Sequence, residues 1–403
     1  MASRELLQKV KSSYEHTIYA SYVGYITQAI VNNFVPLLFL TLAMDYDLTL
    51  DRITLITTVN FAVQLLVDFV SAKYIDVIGY RRAVVFAHVA AALGLIGLAV
   101  FPTVLGDAYA GIILSVVLYA IGGGIIEVLI SPIVEACPTE KKEAAMSLLH
   151  SFYCWGHVAV VLLSTAFFHL IGIEHWKWMA CLWALVPIAN IVYFSLVPIY
   201  PIVAEQESLS IKGLLKQKVF WLMIVLMVCA GASEQAVSQW VSTFAESALQ
   251  VSKTVGDLAG TCAFAIFMGT ARALYGKYSD YIPLKKMMMG SAMLCIGCYL
   301  TAILSGNPYV GLAACAVCGF SVGIFWPGTF SIASMRIPAG GTAMYAFMAL
   351  AGDVGCSAGP SVVGFVANAT EGNLKAGLSV AILFPIVMLL GIGFVRMKKN
   401  GRS

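Results

Sequence analysis

Apolar residues run through this chain in long stretches, broken at short intervals by clusters of charge. Runs long enough for a bilayer-crossing helix, about 20 residues each, fall near 18–43, 53–75, 83–103, 109–134, 144–171, 179–198, 220–245, 255–278, 287–305, 309–333, 342–367 and 376–395. Twelve spans are therefore predicted. The only long polar connector, IYPIVAEQESLSIKGLLKQKV at 199–219, separates two sets of six and predicts an N-terminal bundle over 1–198 and a C-terminal bundle over 220–403.

Composition agrees with that pattern. The 403 residues are 60% hydrophobic and 11% charged, with a mean hydropathy of +0.88, whereas a soluble domain carries roughly 25% charge. This is the composition of a polytopic membrane protein, and nothing in it suggests nucleic acid. The N-terminus, MASRELLQKVKSSYEH, lacks an apolar run followed by a small-residue cleavage site, so it reads as a cytoplasmic tail rather than a signal peptide. With the N-terminus inside, 19 of the 24 Lys and Arg residues fall in inside segments, four (Arg52, Lys177, Lys253, Lys375) fall outside, and Arg272 lies within a span. The positive-inside rule then puts both termini in the cytoplasm.

Among the ten cysteines, Cys295-x-x-Cys298 and Cys315-x-x-Cys318 have a zinc-ribbon spacing. Both pairs lie inside apolar spans with no loop to form a metal knuckle, so they read as buried core thiols, with no metal and no disulfide expected.

The polar loops contain an echo. QLLVDFVSAKYIDVIGYRR at 64–82 and MGTARALYGKYSDYIPLKK at 268–286 align when Asp76 is set on Asp280; Arg81 and Arg82 then fall on Lys285 and Lys286. The same shift puts Asp68 on Arg272, opposite charges at equivalent places in apolar runs. Two six-span halves, a cytoplasmic linker and DxxGxRR-like loops after the second span of each half resemble the major facilitator superfamily. That resemblance implies two rocking bundles with alternating access, and loops in which Asp76 or Asp280 latch the cytoplasmic gate by pairing with basic residues and helix ends. Ala72, Val77 and Tyr80 depart from the family loop, while Gly276 keeps its glycine.

A narrower resemblance lies in the fourth span. Gly122-Gly-Gly-Ile-Ile-Glu127-Val-Leu-Ile-Ser131-Pro132-Ile-Val, with LLHSFYCWGH in the fifth span and GCSAGPSVVG in the eleventh, is similar to the fucose/galactose/glucose:proton symporter family. Asn33 stands about where that family has Asp, and Ser131 where it has Asn. The resemblance implies proton-coupled uptake of a sugar, with Glu127 as proton carrier.

Read directly, five formal charges lie inside spans: Asp68, Glu127, Glu234, Arg272 and Asp353. Each would cost about 2.5–3.5 kcal/mol at the centre of a lipid-facing helix, and five would rival a whole protein's stability of about 5–15 kcal/mol. They must face protein or water. Glu127 shares an i, i+4, i+7, i+11 stripe with Ala120, Gly124 and Ser131, a face suited to a cavity wall. Asn60, Gln64, Asp68 and Ser71 form a second stripe, with Asp68 two turns, about 12 Å, from Asp76. Asp68, Glu127 and Glu234 are therefore the proton-coupling candidates. Asp68 and Arg272 are read either as members of gating or structural ion pairs or as solute contacts, with Asp353 and His150 open as neighbours of Arg272.

For a polyhydroxylated solute the candidates are Gln28, Asn32 and Asn33 in the first span, Gln64 in the second, and His150, Tyr153 and Trp155 in the fifth. Gln235, Gln239 and Trp240 in the seventh span and Trp326 in the tenth complete that set. Amides donate and accept hydrogen bonds as neighbouring hydroxyls require, and an indole face suits a pyranose. The competing reading, amides that only join helices, applies to each of them. Asp76, Arg81, Arg82, Arg272, Asp280, Lys285, Lys286 and Asp353 are the gating candidates. Trp176, Trp178 and Trp221 at helix ends read as an interfacial aromatic belt, and Gly355-x-x-x-Gly359-Pro360 as a close helix contact or a bend.

The sequence thus predicts an all-α membrane protein: a monomeric, proton-coupled importer of a small polyhydroxylated solute in a bacterial inner membrane, without cofactor or metal. An exchanger or exporter, an organic-anion transporter using Arg272, and a sensor without flux are the rivals. An enzyme is not expected, for no nucleophile–base pair, phosphate loop or metal cluster is readable in the sequence.

Overall fold

The computed structural model describes residue 8 and residues 10–200, 208–239, 241, 260, 262–371 and 373–395, and the regular elements among them are all helices. Each of the twelve predicted spans carries helix. The first holds α1 (Tyr14–Asn33), a 3-10 turn at Val35–Leu38 and α2 (Phe39–Asp45). The next five are α3 (Leu50–Ile78), α4 (Tyr80–Val104), α5 (Ala108–Ala136), α6 (Lys142–Ile171) and α7 (Trp176–Leu196). A five-residue helix, α8 (Ile211–Leu215), lies in the connector. The second set comprises α9 (Lys218–Ser238), α10 (Ala263–Tyr278), α11 (Leu284–Leu304), α12 (Pro308–Val322) with α13 (Phe325–Arg336), α14 (Gly341–Ala369), and α15 (Leu374–Ala381) with α16 (Leu383–Phe394). Among the described residues ten spans are long and apolar enough to cross a bilayer. The segment α1–α2, broken after Asn33, and α10, described over 16 residues, occupy the other two.

Local chemistry sets these boundaries. Asp107, Asn307 and Asn373 each accept from first-turn amides of α5, α12 and α15, satisfying donors that have no partner within the helix. Gly79, at φ +88°, turns the chain between α3 and α4. Proline breaks the spans that are split: Pro36 stands in the 3-10 turn of the first. Pro327, lacking an N–H, cannot bond the carbonyl of Gly323 four residues earlier, where α12 gives way to α13.

Contacts divide the chain into two units. The first comprises 1–145, 152–209 and 339–347, and the second comprises 146–151, 210–338 and 348–403. In the first, α4 and α5 meet backbone to backbone, since a Cβ at Gly122 would run into the carbonyl of Ala87 and the amide of Ala91. In the second, the Gly355/Gly359 pair brings α14 onto α9, where added Cβ atoms would strike the carbonyls of Val228 and Ala232. Small residues at such crossings are what bilayer helices use to pack closely.

One tryptophan departs from expectation. Trp178 and Trp221 are 69% and 52% exposed, but Trp176 is 1% exposed and donates its Nε1–H to Asp45 Oδ2 at 2.9 Å. It belongs to the core of the first unit with Phe34, Leu38 and Trp183, not to an aromatic belt. Asp45 supplies the acceptor that a buried indole N–H requires.

Candidate functional site

In the first unit the polar stripes converge on α5. Its glycine run permits the approach: a Cβ at Gly123 would press on Gln28 and Val31 of α1, and one at Gly124 on Gln64 and Val67 of α3. Gln28 therefore reaches Glu127, donating from Nε2 to Oε2 at 2.8 Å, and from the same nitrogen to Gln64 Oε1 at 3.3 Å. Gln64 Nε2 donates to Asn32 Oδ1 at 2.8 Å and Asn60 Oδ1 at 3.0 Å, and Asn60 Nδ2 donates to Asn32 Oδ1 at 3.3 Å. The result is a ladder of four amides with a carboxyl group at one end. One turn further along α5, Ser131 meets the Tyr25 hydroxyl at 2.9 Å. Asp68, one turn beyond Gln64 on α3, is fully buried.

Asn33 turns its amide back to the carbonyl of Ala29 in its own helix at 2.8 Å. Tyr153 is half-buried on α6, and Trp155 is 38% exposed. Sequence reasoning missed His88: fully buried on α4, it bonds the Val84 carbonyl at 2.7 Å and Asn190 Nδ2 at 2.8 Å, while Asn190 also donates to the Ala20 carbonyl at 3.0 Å. That node joins α1, α4 and α7, and only helix rotation, which spacing does not show, could have found it.

In the second unit the buried centre is Arg272, 3% exposed on α10. Its Nη2 faces Glu234 Oε2 of α9 at 3.5 Å, its Nη1 donates to the His150 carbonyl at 3.1 Å, and its Nε donates to the Gly323 carbonyl at 2.7 Å. The last of these is the carbonyl that Pro327 leaves without its helical donor. Ser147 in turn donates to the Arg272 carbonyl at 2.7 Å. Beside this centre the His150 ring stacks on Phe330, centroids 5.8 Å apart, and Phe330 meets Trp326 edge-on at 6.3 Å. Gly352 leaves room for the Trp326 indole, with which any Cβ there would collide. Glu234, His150, Arg272 and Trp326 thus lie together. Phe330, one turn from Trp326, was missed although the i, i+4 spacing marks it. Gln235 is half-buried next to Glu234, Asp353 is half-buried next to Gly352, and Gln239 is exposed. Trp240 lies outside the described residues.

The echoed loops make matching contacts in each unit. Arg81 donates to the carbonyls of Phe194, Ser195 and Val197 at the end of α7, at 2.8, 3.0 and 2.8 Å. Its counterpart Lys285 donates to those of Gly393 and Val395 at the end of α16, at 3.0 and 2.7 Å. Both cations sit where a helix dipole and unpaired carbonyls attract positive charge. Asp76 Oδ1 accepts from Tyr80 and Thr342, each at 2.7 Å. Arg82, Asp280 and Lys286 are exposed.

Among the described residues no three His, Cys, Asp or Glu side chains form a metal-binding group. Cys295 and Cys318 are free thiols with Sγ atoms 3.8 Å apart.

The family model described as Major Facilitator Superfamily matches residues 21–360. No curated protein sequence matches the chain. Among solved structures, the Escherichia coli fucose:proton symporter FucP superposes with a TM-score of 0.74 at 14% identity, covering 96% of this chain and 100% of its own. The proton:xylose symporter XylE gives 0.76 at 13% identity, covering 95% of each chain. The human organic anion transporter MFSD10 gives 0.74 at 13% identity, covering 94% of this chain and 99% of its own.

Proposed function

Since the chain belongs to the major facilitator superfamily, and so is a multi-pass membrane transporter rather than an enzyme, we propose that it couples proton movement to symport of a sugar or similar small polyhydroxylated solute. The observation that carries this reading is Glu127, a carboxyl within a membrane span held by Gln28 at 2.8 Å at the end of an amide ladder. A carboxyl in such a place can be neutralised by a proton and recharged as its surroundings rehydrate. Amides beside it offer both donors and acceptors to vicinal hydroxyls. Trp326, with Phe330 and His150 packed in series, offers an apolar face in the second unit. FucP and XylE, described as proton symporters of fucose and xylose, support this reading at the level of fold.

In this scheme Arg272 and Glu234 form a switchable pair, with Arg272 also holding the broken tenth span. Asp68 is a second proton candidate. Arg81, Lys285 and Asp76 fasten helix ends in the gating loops, and both termini are cytoplasmic by the positive-inside bias. The protein acts as a monomer in a bacterial inner membrane, with two bundles, 1–198 and 220–403, joined by 199–219. The buried Arg272 and the likeness to MFSD10 favour a second reading, an organic anion that displaces Glu234 from the guanidinium.

Uptake into proteoliposomes under an inward proton gradient separates the two. Labelled hexoses, deoxyhexoses, pentoses and polyols are compared with small carboxylates. Accumulation of a neutral sugar that collapses with a protonophore is expected; flux confined to carboxylates would replace this reading with the anion one.

A further inference from the structure

The hydrogen bonds of the amide ladder all run in one sense. From Gln28 onward each bond runs from the nitrogen of one amide to the oxygen of the next: Gln28 to Gln64, Gln64 to Asn32 and Asn60, and Asn60 to Asn32. At the other end Glu127 Oε2 accepts from the Gln28 nitrogen, the sense that a charged carboxylate requires. That requirement leaves Gln28 Oε1 buried with no hydrogen-bond partner among the described residues. Asn32, where the ladder ends, is half-buried and accepts twice at Oδ1, with no bond from its Nδ2 among the described residues. The ladder therefore ends on a free donor.

We propose that Gln28, Gln64, Asn60 and Asn32 form a polarity relay that converts protonation of Glu127 into a donor-to-acceptor switch at Asn32. A proton from the aqueous phase adds to Glu127 Oε2, and the acid becomes a donor. Gln28 rotates its amide to accept it, which sets Gln28 Oε1 against Gln64 Oε1 and forces Gln64 to rotate too. Gln64 Oε1 then faces Asn32 and Asn60, which rotate in turn and donate to it, and Asn32 Nδ2 donates to Asn60 Oδ1. All five bonds are kept with donor and acceptor exchanged, and every amide has the hydrogens to do it. The free edge of Asn32 changes from N–H to C=O. A solute hydroxyl bound there must reverse its own hydrogen bond, so proton and solute occupancy are linked.

This inference rests on Glu127 being the proton carrier and goes beyond it by naming how the charge is read. Among the described residues α1, α3 and α4 pack on α5, and each carries an ionisable group of its own. These are Asp68 on α3, Tyr25 on α1, whose hydroxyl meets Ser131, and His88 on α4, engaged with Val84 and Asn190. Asp68 is the one that must be separated from Glu127 by substitution.

The test is pH-difference infrared spectroscopy of the whole protein in lipid, with the side-chain carbonyl carbons of Gln and Asn isotopically labelled and protons as the only added ligand. As pH falls, a carboxylic-acid C=O band should appear and the Gln and Asn side-chain bands should shift with the same midpoint. All of these should be lost in Glu127→Gln and retained in Asp68→Asn. In Gln64→Met the carboxyl and Gln bands should still respond while the Asn bands fall silent; if that variant does not fold, the labelled wild type and Glu127→Gln decide alone. A Glu127 carboxyl band that titrates without any shift of the amide bands would overturn the relay and leave proton coupling intact. Absence of a Glu127 carboxyl band throughout the pH range of the folded protein would overturn both.

Discussion

Arg272 Nε bonds the carbonyl of Gly323 at 2.7 Å, and Gly323 is the residue whose carbonyl Pro327 cannot take. A buried cation thus mends a helix break with one face of its guanidinium while holding Glu234 at 3.5 Å with another. Removing one partner of a buried pair leaves an uncompensated charge, at a cost of about 3–5 kcal/mol. Arg272→Ala should therefore lower thermal stability in detergent far more than Glu234→Ala combined with it. Arg272→Lys should also fail to restore stability, because an ammonium cannot span Glu234 and two carbonyls at once. Additive losses in the double variant would show that the pair is not coupled.

The packing of α14 on α9 gives a prediction with an internal control. Gly355 sits where an added Cβ would strike the Val228 carbonyl, whereas Gly297 on α11 has nothing within 4 Å of that position. Gly355→Leu should destabilise by at least about 1–3 kcal/mol through overpacking. Gly297→Ala should be neutral or stabilise by up to about 1 kcal/mol through helix propensity. Equal melting temperatures for the two variants in detergent would refute the close contact.

What was legible in the sequence, and what was not, follows from the geometry of helices. Spacing along one helix predicts which residues share a face, so Gln64 with Asp68, and Glu127 with Ser131, were readable before any fold. The repeat made Arg81 and Lys285 readable as equivalents. Rotation of one helix against another is not written in spacing. Arg272 had Asp353 and His150 as open neighbours, and the structure brings it to Glu234 and to the backbone carbonyl of His150. Trp176 reads as an interfacial residue by position alone, and its burial depends on Asp45, 131 positions away. His88 gave no signal because its partner, Asn190, lies on another helix.

Arg81 and Lys285 occupy equivalent places and hold the ends of α7 and α16 by three and two carbonyl bonds respectively. Hydrogen bonds from charged donors contribute about 1.5–3 kcal/mol when well formed, less where water competes. Arg81→Ala should therefore loosen residues 193–197 more than Lys285→Ala loosens residues 391–395, read as hydrogen-exchange protection of those amides. Protection unchanged in both variants would show that the cations hold nothing.

Glu127 supplies the sharpest functional prediction. Replacing it with Gln keeps the size and the ability to meet Gln28, since a Gln side chain can donate to the Gln28 amide as the protonated acid does, but it removes the group that can be charged. A carrier whose proton site cannot change charge still cycles with its solute and has lost only its link to the proton gradient. Glu127→Gln should therefore reduce gradient-driven accumulation in proteoliposomes to simple equilibration while preserving counterflow exchange of labelled for unlabelled solute. The pH dependence of solute affinity should flatten as well, because the neutral amide imitates the protonated carboxyl at every pH. Asp68→Asn provides the comparison: if Asp68 is structural, accumulation survives in it at a reduced rate. Accumulation that persists in Glu127→Gln and disappears in Asp68→Asn would transfer the proton to α3. If Glu127→Gln abolished counterflow and accumulation together, Glu127 would be required for binding the solute, and the proton role would lose its support.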